Sequence, residues 1–285
     1  MIAKDTNILI VGLGLIGGSY AKALKNQGFK VCAITKEQSS IDYAIENSII
    51  DYGTTEIDEN LIKQSKLIIF SLYPHIFKEW IKENQKYFSK GTIITDVTGI
   101  KQDIVNFIQP ILREDVEFIA AHPMAGREVY GVENSTPDMF KGANYIVVPT
   151  EKNTEYAIEY CKELGKLLGF AKISVISPKE HDMMIGFLSQ LTHCIAIALM
   201  TCNDDPTLAD YTGDSFRDLT RIARINENMW SELFSINKKA LTENIDCFVS
   251  ELTKIKNMIL LDETEDLKDI MRLSTKRRKL FDRRK

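Results

Sequence analysis

The chain has 285 residues, 36 basic against 40 acidic, with a formal net charge of -4, and is 44% hydrophobic and 27% charged. That is ordinary globular composition at a length typical of two domains, and the lack of a basic field argues against a nucleic-acid partner. The cysteines Cys32, Cys161, Cys194, Cys202 and Cys247 are scattered with no CxxC pair, which argues against a disulfide framework or a metal site and for a reducing cytoplasm.

The N-terminus enters a strand at once, without the charged leader and apolar stretch of a signal peptide. Residues 7–11 read as a buried parallel strand running into glycines. Residues 19–27 read as a helix ended by Gly28, 30–35 as a second strand and 41–47 as a helix, with 51–53 turning out of it. A third strand over 67–72 is closed by Pro74; a helix over 77–87, a fourth strand over 92–96, a helix over 104–112 and a fifth strand over 117–121 follow. Strands over 145–149 and 172–176 flank a helix over 155–168. This alternation predicts an α/β Rossmann domain over 1–177, a doubly wound parallel sheet with ligands at the carboxyl ends of its strands.

After Pro178 helical periodicity takes over, and an all-α domain is expected over 178–285. Its stretch 183–202 is apolar enough to consider as a membrane span, but Ser189, Gln190, Thr192 and His193 near the middle are costly in lipid. A helix buried between subunits fits better. The basic stretches 276–279 and 283–285 read as a solvated helix end and tail.

Gly12-Leu13-Gly14-Leu15-Ile16-Gly17 is a G-x-G-x-x-G motif in its required context, after a strand and opening a helix. Gly12 makes the tight turn, Gly14 lets the backbone approach a pyrophosphate, and Gly17 lets helix and strand pack closely. Free N–H groups and the helix dipole, starting at Leu15 and Ile16, then hold the anion. The residue at the end of the second strand is Thr35, where an acid would bind the ribose of NAD. Thr35, Lys36 and Ser39 could hold a 2′-phosphate instead, while Glu37 would repel one. NAD(P) is expected, with a lean to NADP.

Beyond the fifth strand lies His122, at the carboxyl end of a parallel strand in this reading. A histidine there can accept a proton while a hydride leaves the same carbinol carbon. Arg217, Arg221 and Arg224 fall on one helical face. From spacing alone that face reads as solvated, with Asp214 and Asp218 forming intrahelical pairs. His193, four residues after Ser189, reads from the sequence as a satisfied core residue, Trp230 as a core aromatic and His75 as surface.

GLGLIGGS, ITDVTGIK, HPMAGRE, the His181-Asp182 pair near Pro178, SQLTH, and FRDLTRIA followed by NENMW together resemble the prephenate dehydrogenases and their arogenate-using relatives over essentially the whole chain. The resemblance implies NAD(P)-dependent oxidative decarboxylation of prephenate with His122 as the base. It also implies Arg221 as the substrate-carboxylate ligand, His193 as a substrate-side histidine, His181 as a residue shaping the site, Glu128 near the substrate side chain and Asp218 orienting Arg221. Thr98 would partner His122, although its hydroxyl is one residue from where the family carries a serine. Gln190 and Thr192 stand where the family often has histidine and proline. Ser71, Leu72 and Pro74 would border the nicotinamide ribose. A homodimer through the C-terminal helices is implied, with no metal, nucleic acid or membrane. The alternatives are arogenate dehydrogenation, a β-hydroxyacid dehydrogenase, which relies on a lysine in the helical domain and does not carry the HPMAG pattern, and a non-catalytic dinucleotide sensor.

Overall fold

The computed structural model describes residues 2–282, so Arg283, Arg284 and Lys285 of the basic tail lie outside the described residues. Strands β1 (Asn7–Val11), β2 (Lys30–Ile34), β3 (Tyr52–Thr54), β4 (Leu67–Phe70), β5 (Ile93–Asp96) and β6 (Glu117–Phe118) form a parallel sheet in the order β3-β2-β1-β4-β5-β6. Helices α1 (Leu15–Asn26), α2 (Gln38–Glu46), α3 (Glu59–Gln64), α4 (Pro74–Asn84) and α5 (Gln102–Ile111) connect them. This is the doubly wound Rossmann order, with its switch point between β1 and β4.

The strands are apolar on both faces because both faces are covered. Ile8 and Ile10 of β1 pack with Tyr20 and Leu24 of α1, while Leu9 and Val11 pack with Phe77 and Ile81 of α4 and Ile104 of α5. The two cores thus follow the period of two along each strand.

Two expectations are corrected. The segment 51–53 does not simply turn, since Tyr52–Thr54 adds an edge strand beside β2. The stretch 117–121 is not one strand either. After β6, the chain leaves the parallel sheet as β7 (Ala120–Met124), pairing antiparallel with β8 (Asn144–Val148), which pairs in parallel with β9 (Lys172–Val175). His122 therefore lies in mid-strand opposite Ile146 of a second, three-stranded sheet. Pro123 has no N–H to give to a ladder, which suits β7 to the edge it occupies.

Helix α6 (Glu155–Leu167) lies between β8 and β9 in sequence. From Pro178 the described residues form α7 (Pro178–Ile185), a π-helical stretch (Gly186–Leu191), α8 (Thr192–Thr201), α9 (Asp214–Thr220), α10 (Glu227–Ile236), α11 (Lys238–Leu260) and α12 (Thr264–Arg278), with short 3-10 turns. Ser177 and Glu180 start α7 with a capping box, and Pro178 takes the first turn. The change from strands to helices falls there. The compact units are Met1–Asn237 and Lys238–Lys285, so α7 to α10 belong to the unit that holds both sheets.

A buried ion pair joins these elements where β5 runs into α5. Lys101 Nζ lies 2.6 Å from Asp96 Oδ2, and neither side chain has exposed surface. The other oxygen of Asp96 accepts the Ala121 N–H of β7 at 3.2 Å. The backbone N–H groups of Lys101 and Gln102 donate to Asp182 of α7, each at 2.9 Å. Lys101→Met would leave the Asp96 charge buried without its partner. It should cost about 3–5 kcal/mol in urea unfolding; a loss below about 1 kcal/mol would show that the pair does not hold this junction together.

Candidate active site

The glycine loop has the shape the motif requires. Gly12 has φ +96°, and a Cβ there would lie 2.3 Å from the Ser71 carbonyl oxygen. A Cβ on Gly17 would lie 2.0 Å from the Gly12 carbonyl oxygen, so strand and helix meet there backbone to backbone. A Cβ on Gly14 would meet nothing within 4 Å, and no side chain caps the first turn of α1. That leaves open space before uncapped N–H groups of Leu15 and Ile16, which fits a dinucleotide pyrophosphate. The Thr35 hydroxyl accepts the Leu13 N–H at 3.3 Å, so it braces the loop and keeps its own O–H to donate. Lys36 and Ser39 are exposed beside it.

Ser71 and Leu72, expected to border the nicotinamide ribose, sit against Gly12. The segment that follows is held to α10. Asn226 donates to the Tyr73 hydroxyl at 3.1 Å, and Glu232 accepts both the His75 N–H and, at 2.8 Å, its ring Nδ1. His75 is thus exposed as expected but not free.

His122 is partly exposed, and its Nδ1 lies 2.9 Å from Nε2 of His181, which has no exposed surface. His181 Nδ1 in turn lies 2.7 Å from Asp182 Oδ1. Thr98 is not the partner of His122. Its hydroxyl bonds Asp96, lies 3.0 Å from the Ile100 carbonyl and accepts from Lys101 at 3.1 Å. The Thr98 hydroxyl is therefore spent inside the ion-pair cluster, and His181 takes the place expected of it. Burial, then His181 and then Lys101 hold the His122 imidazolium well below the usual 6.5. Burial also lowers His181 despite Asp182 beside it. Both rings are thereby favoured neutral near pH 7.

On the helical side, Arg221 donates to Glu128 at 2.6 Å with the two side chains 65% and 37% exposed. The carboxylate paired with Arg221 is that of Glu128 rather than Asp218, which is exposed. Arg217 pairs with Asp214 at 3.0 Å, as a solvated face requires. His193 Nδ1 donates to the Ser189 carbonyl at 2.8 Å within the π-helical region, and its ring packs against Trp230 with centroids 3.7 Å apart and the planes tilted by 31°. Trp230 is therefore a platform for His193 rather than a plain core aromatic. Burial lowers His193, Ser189 and Glu128 push it back up, and Arg221 pushes it down, so the ring lies within electrostatic reach of the Arg221–Glu128 pair. Gln190 is buried and ties this helix down, donating to the Leu233 carbonyl at 3.1 Å and accepting from Asn237 at 2.7 Å.

Sequence reading missed Lys101, Asp96 and Asp182 as parts of the site. The usable signals were a lysine five residues after an aspartate at a strand end, and an acid directly following His181.

The comparisons with known proteins point to one family. The model of the prephenate dehydrogenase nucleotide-binding domain matches residues 20–174, and that of the prephenate dehydrogenase dimerization domain matches residues 177–273. The chain is 29% identical over 271 residues to the prephenate dehydrogenase of Bacillus subtilis, covering 93% of this chain and 72% of that protein. It is 31% identical over 260 residues to that of Lactococcus lactis, covering 87% and 70%. The crystal structure of prephenate dehydrogenase from A. aeolicus in complex with hydroxyphenyl propionate and NAD+ superposes with a TM-score of 0.90 at 30% identity, over 99% of this chain and 100% of that one. With its dinucleotide loop, its paired histidines and these likenesses along nearly its full length, the chain belongs to the prephenate dehydrogenase family.

Proposed function

We propose that this enzyme oxidatively decarboxylates prephenate to 4-hydroxyphenylpyruvate, a step of tyrosine formation, in the cytoplasm. The observation that carries the reading is His122: a partly exposed histidine just beyond the carboxyl end of β5, favoured neutral, with one ring nitrogen engaged by buried His181 and no partner for the other among the described residues. A bound nicotinamide supplies the hydride acceptor. His122 takes the proton of the substrate's ring hydroxyl as the adjacent C–H pair departs as hydride. The electron pair freed by loss of carbon dioxide closes the aromatic ring, and His122 returns its proton to the phenolic oxygen. General-base catalysis of this kind is worth about 10²–10⁴-fold; orientation and charge stabilisation account for the rest.

Arg221 is the ligand for a substrate carboxylate. Its pair with Glu128 is exposed, and such pairs are worth about 0–1 kcal/mol, so a carboxylate can displace Glu128 at little cost and bind the guanidinium side-on. His193, braced by Ser189 and Trp230, sits on the substrate side. The second reading is arogenate as substrate, favoured by the 25% identical cyclohexadienyl dehydrogenase of Zymomonas mobilis, matched over 280 residues, and by Glu128, which could meet an ammonium. We infer prephenate because the relatives at 29% and 31% identity that align over most of this chain are prephenate dehydrogenases. We infer a preference for NADP from Thr35, Lys36 and Ser39 at the end of β2.

The helix Pro178–Thr201 is long and apolar enough to cross a membrane, and only 28% of its most apolar stretch is buried within the chain. We infer that a second copy covers it, giving a homodimer. Light scattering at micromolar concentration should give twice the 32.4 kDa chain mass; a monomer would contradict the pairing.

Reduced-nicotinamide absorbance, with prephenate and arogenate each crossed with NAD and NADP, tests the substrate and the cofactor together. Prephenate with NADP should give the highest kcat/KM. A strong preference for arogenate or for NAD would overturn the respective choice. In the same assay the acid limb of kcat/KM should fall below the usual histidine value, because a lowered base stays neutral to lower pH. A limb above that value would exclude His122 in the environment described.

A further inference from the structure

The proposed reaction needs one ring nitrogen of His122 without a proton, and the buried groups behind it decide which. Asp182 accepts a backbone N–H at each oxygen, Lys101 at Oδ1 and Gln102 at Oδ2. Both oxygens are thus acceptors. Their third partner, His181 Nδ1 at 2.7 Å from Oδ1, must bring the proton. A neutral imidazole carries one proton, so Nε2 of His181 is then a lone pair. It lies 2.9 Å from Nδ1 of His122, and two lone pairs cannot share that separation. His122 Nδ1 is therefore the donor, and its own lone pair is left on Nε2.

We infer that Asp182 and His181 are positioning residues that fix His122 as the Nδ1–H tautomer, leaving Nε2 as the atom that receives the substrate proton. The inference rests on the reading of His122 as the base and goes beyond it by assigning that base's state to two residues that do not touch substrate. Charge supports the same arrangement. The charged groups facing the two imidazoles are Asp182 on the helix of His181, and Lys101 and Asp96 from the junction of β5 and α5. Lys101 and Asp96 pair with each other, which leaves Asp182 as the carboxylate without a cationic partner in the cluster. Protonation of His122 at Nε2 forms one N–H bond, breaks one substrate O–H bond and makes the ring a cation. Its Nδ1–H bond to His181 then strengthens, in line with the negative charge of Asp182. The logic is that of an acid orienting a catalytic histidine, with a second histidine between the two.

Tautomers are directly observable. The chain has four histidines, so a long-range proton–nitrogen spectrum of the full protein labelled with 15N in its imidazoles resolves each ring. His122→Asn and His181→Gln assign the two signals. The wild-type protein near neutral pH, without substrate, should show both His122 and His181 as Nδ1–H. Asp182→Asn offers an amide donor in place of the acceptor and should switch both to Nε2–H. It should also lower kcat about 10²-fold or more, the worth of a lost base, with KM for prephenate little changed. His181→Gln keeps an oxygen to accept the His122 Nδ1–H, so it should retain the His122 tautomer and more activity than His181→Leu. His122 found as Nε2–H in the wild-type protein would overturn the inference, as would tautomers unmoved by Asp182→Asn. The spectrum needs no substrate, so failure to oxidise prephenate would sink the substrate reading alone.

Discussion

A lysine with no exposed surface is tolerated only where a carboxylate comes with it, and that constraint organises this protein. Lys101 and Asp96 stand at the carboxyl edge of the parallel sheet, the place where a Rossmann fold binds its ligands. To satisfy them, the chain brings Ala121 of β7 onto Asp96, the Thr98 hydroxyl between the two charges, and Asp182 of α7 onto the backbone at the start of α5. Asp182 arrives with His181 beside it, and His181 reaches His122. The same cluster that joins the sheet to the first of the later helices thus ends at the ring of His122. Burial, His181 and the Lys101 charge disfavour the imidazolium, which suits the base proposed here.

The remainder of the site is built more loosely, and its physics differs. Arg221 and Glu128 meet at the surface, in high dielectric, where an ion pair is weak and exchangeable. His193 is more firmly set, with Ser189 behind it and Trp230 across its face. A partly exposed ring braced from behind by buried groups and an exposed, exchangeable ion pair suit the two tasks proposed for them, taking a proton and holding a carboxylate. One group must hold a defined geometry through the chemistry, while the other must let substrate in and product out.

Much of this is legible in sequence because it depends on local pattern. The glycine motif, the alternation of strands and helices and the capping box after β9 are short-range signals, and each element forms where its residues favour it. The break between β6 and β7 is not legible in that way. Residues 117 to 121 look like one apolar strand, and only the claim of Asp96 on the Ala121 N–H and the missing N–H of Pro123 separate the two sheets. The ion-pair cluster is also hidden. Asp96 and Lys101 are charged and nothing local marks them as a buried pair, and Asp182 lies 81 residues after Lys101. Resemblance placed a hydroxyl beside His122, but here the hydroxyl belongs to Thr98 and turns toward Asp96. Glu128 and Arg221, 93 residues apart, each matched a family position, yet nothing local indicated that they bind one another.

The account stands on His122 as the base that takes the substrate proton. The most direct measurement is prephenate-dependent reduction of the nicotinamide by the His122→Asn protein, beside its affinity for the cofactor alone. Turnover should fall by about 10²-fold or more, with cofactor affinity unchanged, because the glycine loop is untouched. A kcat near that of the wild-type enzyme would contradict the central claim.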